Sequence, residues 1–189
     1  MKPSEISTFF KSIRAGNIPP TLTCKELAGI KNADGISALD VAIECGHYPP
    51  GTTGKDLADE GKLYWAAWNG TLPKNTTIQH LENCKDEEEL STGLHAAAER
   101  GNLPAETKAQ DLLGVLDCMD HTPLDELGAI TAGPSNIPDQ IPMVLENTTA
   151  THPAEIKQIG DILKAKNPVA VALWVAREMK KRSAQGGKS

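Results

Sequence analysis

The sequence predicts an all-α fold: a short array of helix-turn-helix repeats closed by a C-terminal helical cap. Three observations predict it. Glycines recur at Gly16, Gly46, Gly70 and Gly101, at spacings of 30, 24 and 31 residues. A proline stands three residues after each, at Pro19, Pro49, Pro73 and Pro104, behind an apolar Ile18, Tyr48, Leu72 or Leu103. The flanks repeat as well: Phe9, Leu39, Leu63 and Leu94 seven before the glycine, small Ser12, Ala42, Ala66 and Ala97 four before, and Leu27, Leu57, Leu81 and Leu112 eleven after.

Each stretch from the apolar residue to the glycine has the length and spacing of a two-turn helix, with glycine placed to end it in a left-handed C-cap. Proline keeps that helix from resuming. Threonines follow, in Thr21-Leu22-Thr23, Thr52-Thr53 and Thr76-Thr77, and their hydroxyls suit the N-cap of a second short helix ending near the repeated leucine. Two such helices expose about as much apolar surface as they cover, so neighbouring units have to stack, and the small residues let the first helices approach.

Beyond about residue 131 the composition changes to a loop, Thr131-Ala132-Gly133-Pro134-Ser135-Asn136-Ile137-Pro138. Ile156, Ile159, Ile162 and Leu163 fall on one helical face between Pro153 and Ala165, and Asn167-Pro168 breaks that helix before a second from Val169 to about Arg182. The expected organisation is repeats over 1–145, about four units and a degenerate fifth, then a helical pair and basic tail over 146–189. That pair is the candidate cap for the last apolar face.

Composition is that of an ordinary globular chain, with 39% apolar and 23% charged residues in 189. No segment approaches a membrane-spanning length, and the beginning lacks the apolar stretch of a secretory signal, so a cytoplasmic monomer is expected, with export as an effector a further possibility. The four cysteines occupy four different repeat positions and read as free thiols. Cys118 and His121 stand three apart and Cys45 and His47 two apart, short of the two ligand pairs of a structural zinc, so no metal or cofactor is expected. Residues 1–145 hold 11 basic and 21 acidic side chains, net −10, against 8 and 4, net +4, over 146–189. The acidic part disfavours nucleic acid.

The unit resembles the ankyrin repeat. Asn32-Ala33-Asp34-Gly35-Ile36-Ser37-Ala38-Leu39-Asp40-Val41-Ala42 is similar to its turn and helix start, Thr92-Gly93-Leu94-His95-Ala96-Ala97-Ala98-Glu99-Arg100-Gly101 matches it best, and Thr122-Pro123-Leu124-Asp125 begins a fifth unit. The inserted proline makes this a variant, and the third unit lacks the Asp-Gly turn, having only Asp59-Glu60-Gly61-Lys62. The resemblance covers roughly residues 5–130. It implies that the two positions before each glycine and the turn tips face a protein partner: Arg14-Ala15, Glu44-Cys45, Trp68-Asn69 and Glu99-Arg100. The expected binding residues are therefore Arg14, Glu44, Trp68, Asn69, Glu99 and Arg100, with a partner of basic or mixed charge, and with Trp68 either exposed as a hot spot or folded over Tyr64 or Trp65 to patch the shortened unit. The resemblance also places Trp65 in the core and gives His95 a structural role at a helix start.

For catalysis, no nucleophile–base pair, phosphate loop or carboxylate–histidine cluster emerges, and no enzyme is expected. An enzymatic site between Thr131 and Thr151 has only His152 beside it. Glu87-Glu88-Glu89 reads as a solvated acidic turn. The alternative binding element is the basic C-terminal segment, with Lys180, Lys181 and Arg182, touching nucleic acid or an anionic membrane.

Overall fold

The computed structural model describes residues 2–86, 91–127, 140–150 and 152–186, and among them it is all-helical, with no strand beyond two isolated bridges, Lys31 to Ser37 and Lys85 to Thr92. The acidic turn expected at Glu87-Glu88-Glu89 and the loop expected from Thr131 to Pro138 lie outside the described residues. The elements are α1 (Pro3–Arg14), α2 (Cys24–Gly29), α3 (Ala38–Cys45), α4 (Gly54–Asp59), α5 (Leu63–Trp68), α6 (Ile78–Glu82), α7 (Gly93–Arg100), a 3-10 turn (Ala109–Leu112), α8 (Pro123–Glu126), α9 (Ile141–Asn147), α10 (Pro153–Leu163) and α11 (Pro168–Gly186).

The repeated glycines end α1, α3, α5 and α7 by one device. Gly16, Gly46, Gly70 and Gly101 have φ of 77°, 67°, 72° and 67°, the left-handed region that a side chain disfavours. The next N–H, of Asn17, His47, Thr71 or Asn102, returns to the carbonyl four before the glycine at 2.9 Å in all four units. After the proline, the N–H of Leu22, Thr52, Thr76 or Thr107 bonds the proline carbonyl, closing a turn. Thr23, Thr53 and Thr77 then cap α2, α4 and α6 by accepting the N–H of Glu26, Asp56 and His80. In the fourth unit Lys108 holds that position with no side-chain cap bond, and the segment is a 3-10 turn.

The first helices pack in chain order, α1 on α3, α3 on α5, α5 on α7 and α7 on α8, while α2 packs on α4 and α4 on α6. Leu27, Leu57, Leu81 and Leu112 are fully buried, as are Leu39, Leu63 and Leu94. Side-chain bonds cross two junctions at equivalent places: His47 Nδ1 meets the Ile13 carbonyl at 3.1 Å, and Thr71 Oγ1 donates to the Ile43 carbonyl at 2.8 Å. Gly93 sits so close to α6 that a Cβ there would collide with the Cys84 sulfur.

The last unit is covered by helices of another kind. α9 packs on the 3-10 turn, α10 on α8, and α11 on both α9 and α10. Gln140 pairs with the Leu103 backbone, Asn147 donates to the Ala105 and Thr107 carbonyls, and Thr148 Oγ1 accepts the Ala109 N–H. α9 itself has no counterpart in the sequence reading, and the expected division at 145/146 falls inside it. Its Pro142 stands in the first helical turn, where no backbone donor is lost. Arg177 of α11 donates to the Leu145, Glu146 and Thr148 carbonyls and so satisfies the C-terminus of α9. Trp174 Nε1 adds a bond to the Thr148 carbonyl, and buried Glu178 accepts from Arg177 and Lys181. No helix among the described residues is long and apolar enough to cross a membrane.

Candidate functional site

The aromatic residues of α5 divide between its two neighbours. Trp65, expected in the core, is 49% exposed, and the structure corrects that expectation. Size accounts for it: the other two internal units hold Val41 and Ala96 five before the glycine, each 1% exposed between packed helices, and an indole exceeds that slot, while Lys11 at the same position of the end helix is exposed as well. Its ring stands edge-on to Tyr64, with centroids 5.6 Å apart and planes at 87°. Tyr64 itself is buried, so it gives the exposed indole a fixed support.

Trp68, expected either exposed or folded over a neighbour, is half-buried against the core. The Arg100 guanidinium lies 4.2 Å from its ring centroid, a cation–π contact that ties α5 to α7. The structure therefore covers Trp68 with a neighbour's charge and leaves Trp65 open.

Trp65 borders a groove of about 160 Å³ between α3 and α5, lined by Asp40, Ile43, Glu44, Lys62 and Asn69 as well. Asp40 and Lys62 bridge the two helices at 2.7 Å. Burial opposes ionisation of Asp40, but its bonds from Lys62 and from the Ser37 hydroxyl and N–H prevail and hold its carboxyl below the usual aspartate range. Glu44 is exposed at the groove's edge, and Asn69 turns its amide back to the Trp65 carbonyl at 2.9 Å. The arrangement offers one aromatic face and charged groups of both signs to a solvent-facing ligand.

Of the six expected binding residues, Glu44 and Asn69 meet in this groove, Trp68 and Arg100 stack on each other, and Glu99 lies half-buried beside Arg100 on α7. Arg14 is exposed on the last turn of α1 and does not line the groove. Sequence reasoning missed Asp40, Ile43 and Lys62. Their one visible signal was Trp65 at a position where the other units hold Lys11, Val41 and Ala96.

His95 is 2% exposed at the start of α7. Its Nδ1 accepts the Thr92 N–H at 3.2 Å, which leaves the proton on Nε2, and Nε2 donates to the His121 carbonyl at 3.1 Å. It links the fourth unit to the loop before α8. Compared with protein-family models, curated proteins and solved structures, the chain matches none.

Proposed function

We propose that this chain is a short, variant ankyrin-like repeat protein that binds a protein partner across its first helices, with the α3–α5 groove at the centre. The observation that carries the proposal is Trp65, half exposed on a fixed aromatic support and flanked by Asp40, Glu44, Lys62 and Asn69. Interface hot spots are enriched in tryptophan surrounded by polar groups that shut out water, and truncating one commonly costs about 2 kcal/mol or more of binding. The excess of acidic side chains over 1–145 favours a partner of basic or mixed charge.

The test is parallel affinity capture from extracts of the source organism with wild type, Trp65→Ala and Glu44→Lys, each first shown to be folded. A partner held by wild type and lost by both variants supports the reading; equal capture by all three removes the groove from it.

A second reading rests on α11, where Val169, Leu173 and Met179 are 69%, 70% and 54% exposed and Lys180 and Lys181 follow. Apolar exposure beside clustered cations suits an anionic surface. Co-sedimentation with phosphatidylserine vesicles, abolished by Leu173→Glu and by salt, supports it; equal partition onto neutral vesicles or none rejects it.

A further inference from the structure

The loop between the 3-10 turn and α8 gathers three metal-ligating side chains around His121. Asp117 N–H donates to the His121 carbonyl at 3.0 Å, and Asp120 at the loop tip has φ 61°. Asp117 Oδ1 accepts the N–H groups of Met119 and His121 at 2.8 and 2.9 Å, which turns Oδ2 to the imidazole, 4.0 Å from Nδ1. From the first turn of α8, Glu126 Oε1 reaches the same nitrogen at 3.2 Å. The three ligand atoms all lie within 4.8 Å of one another. The loop is anchored from outside this group as well, because buried His95 holds the His121 carbonyl.

We propose that Asp117, His121 and Glu126 form a binding site for one zinc-class divalent cation, with a remaining coordination position open to water. One imidazole nitrogen with two carboxylate oxygens is a donor set for zinc and its first-row neighbours, whereas magnesium and calcium sites are built from oxygen. Ligands on a tetrahedral ion with bonds of about 2.0–2.1 Å stand about 3.3 Å apart. His121 and Glu126 already have that spacing, and the remaining gap to Asp117 Oδ2, 4.0 Å from Nδ1, closes by movement of the more exposed His121 and Glu126 side chains while Oδ1 keeps its backbone bonds. The backbone bonds to Asp117 Oδ1 do for this carboxylate what outer-shell partners do in metal sites: they aim the ligating oxygen. The side chains of Asp117, His121 and Glu126 are 12%, 47% and 25% exposed, so an ion has access and water completes its shell. Lys166, which donates to the Asp125 carbonyl near Glu126, is the facing cation and weakens binding relative to an all-acidic surround. Without a metal, His121 and Glu126 pair with each other. The sequence drew attention to His121 through Cys118; the folded loop surrounds it with carboxylates instead.

The experiment is calorimetric titration of zinc sulfate into the chelator-treated full chain, repeated on His121→Ala, Glu126→Gln and Cys118→Ser, with folding checked by circular dichroism. Glu126→Gln keeps the size of the side chain that meets His121 Nδ1 and removes its charge. One zinc per chain is expected, weakened at least tenfold by His121→Ala and by Glu126→Gln and unchanged by Cys118→Ser. Cobalt in the same site should show visible ligand-field bands without a thiolate charge-transfer band in the near ultraviolet. No saturable uptake at micromolar zinc overturns the proposal. So does loss of binding in Cys118→Ser, or a thiolate band with cobalt, since either assigns the ion to the cysteines.

Discussion

Trp65 and Trp68 are three residues apart on one short helix, yet their substitutions should separate binding from stability. Trp65→Ala removes a half-exposed ring with one aromatic neighbour and should change unfolding free energy by no more than about 0.5–1 kcal/mol. Trp68→Ala also loses the Arg100 contact and part of the core packing, and should cost about 1–3 kcal/mol. Urea unfolding of the two variants measures the contrast; equal losses would mean that the exposed ring is structural. His95 serves a different purpose, because both its nitrogens are engaged inside the fold. His95→Ala strands the Thr92 N–H and the His121 carbonyl together and should destabilise by about 2–4 kcal/mol in the same assay.

At the scale of elements, the second helices carry their own comparison. Thr23, Thr53 and Thr77 cap α2, α4 and α6, whereas Lys108 has the same extended backbone, with φ −110° and ψ 159°, and no capping oxygen. Asp111 already accepts the Lys108 N–H at 2.8 Å, so one half of a capping box is in place. Lys108→Thr should complete it and raise stability by about 0.5–1 kcal/mol, while Thr53→Ala should lower it by about 1 kcal/mol, both read from denaturant midpoints. A failure of Lys108→Thr to stabilise would mean that the bonds from α9 set the 3-10 geometry. α11 depends on Arg177, whose planar fork reaches three carbonyls at the end of α9. Lysine cannot reproduce that fork, so Arg177→Lys should loosen the α9–α11 pair, seen as faster amide exchange there.

Across the whole molecule, acidic side chains do local structural work that pH can undo. Glu26 and Asp56 are held below their usual ranges by the threonines they cap, Asp40 by Lys62 and Ser37 against the cost of burial, and Glu178 by Lys181 and Arg177 against the same cost. A depressed carboxyl contributes stability that is complete above its unfolded value and disappears as pH falls through its folded value. The urea midpoint should therefore hold steady near neutrality and fall between about pH 5 and pH 2. A midpoint that is flat across that window would show that these pairs contribute nothing.

Helix ends and repeat register were legible in the sequence because glycine, proline and threonine act locally, each through a backbone preference of its own. The first helices, their glycine ends and the buried leucines follow directly from that pattern. α9 is hard to see in the sequence because Pro142 suggests a break, although a proline is harmless in a first turn. The tryptophans were not legible for a different reason: which of two rings is covered depends on slot size and on Arg100, some thirty residues away. The Cys118–His121 spacing of three leads to no metal expectation, and the approach of Asp117 and Glu126 to His121 depends on the turn of the loop and the start of α8.

The short connection in the third unit bears on one thing more. Between α4 and α5 the chain turns through Glu60, Gly61 and Lys62, with Gly61 at φ 65°, where its neighbours spend eight residues between α2 and α3 and ten between α6 and α7. A periodic surface by itself offers a long ligand several nearly equivalent alignments, one for each unit by which it could slide. The three-residue connection falls beside Trp65 and breaks that equivalence. The array therefore has one junction that a shift by one unit does not reproduce.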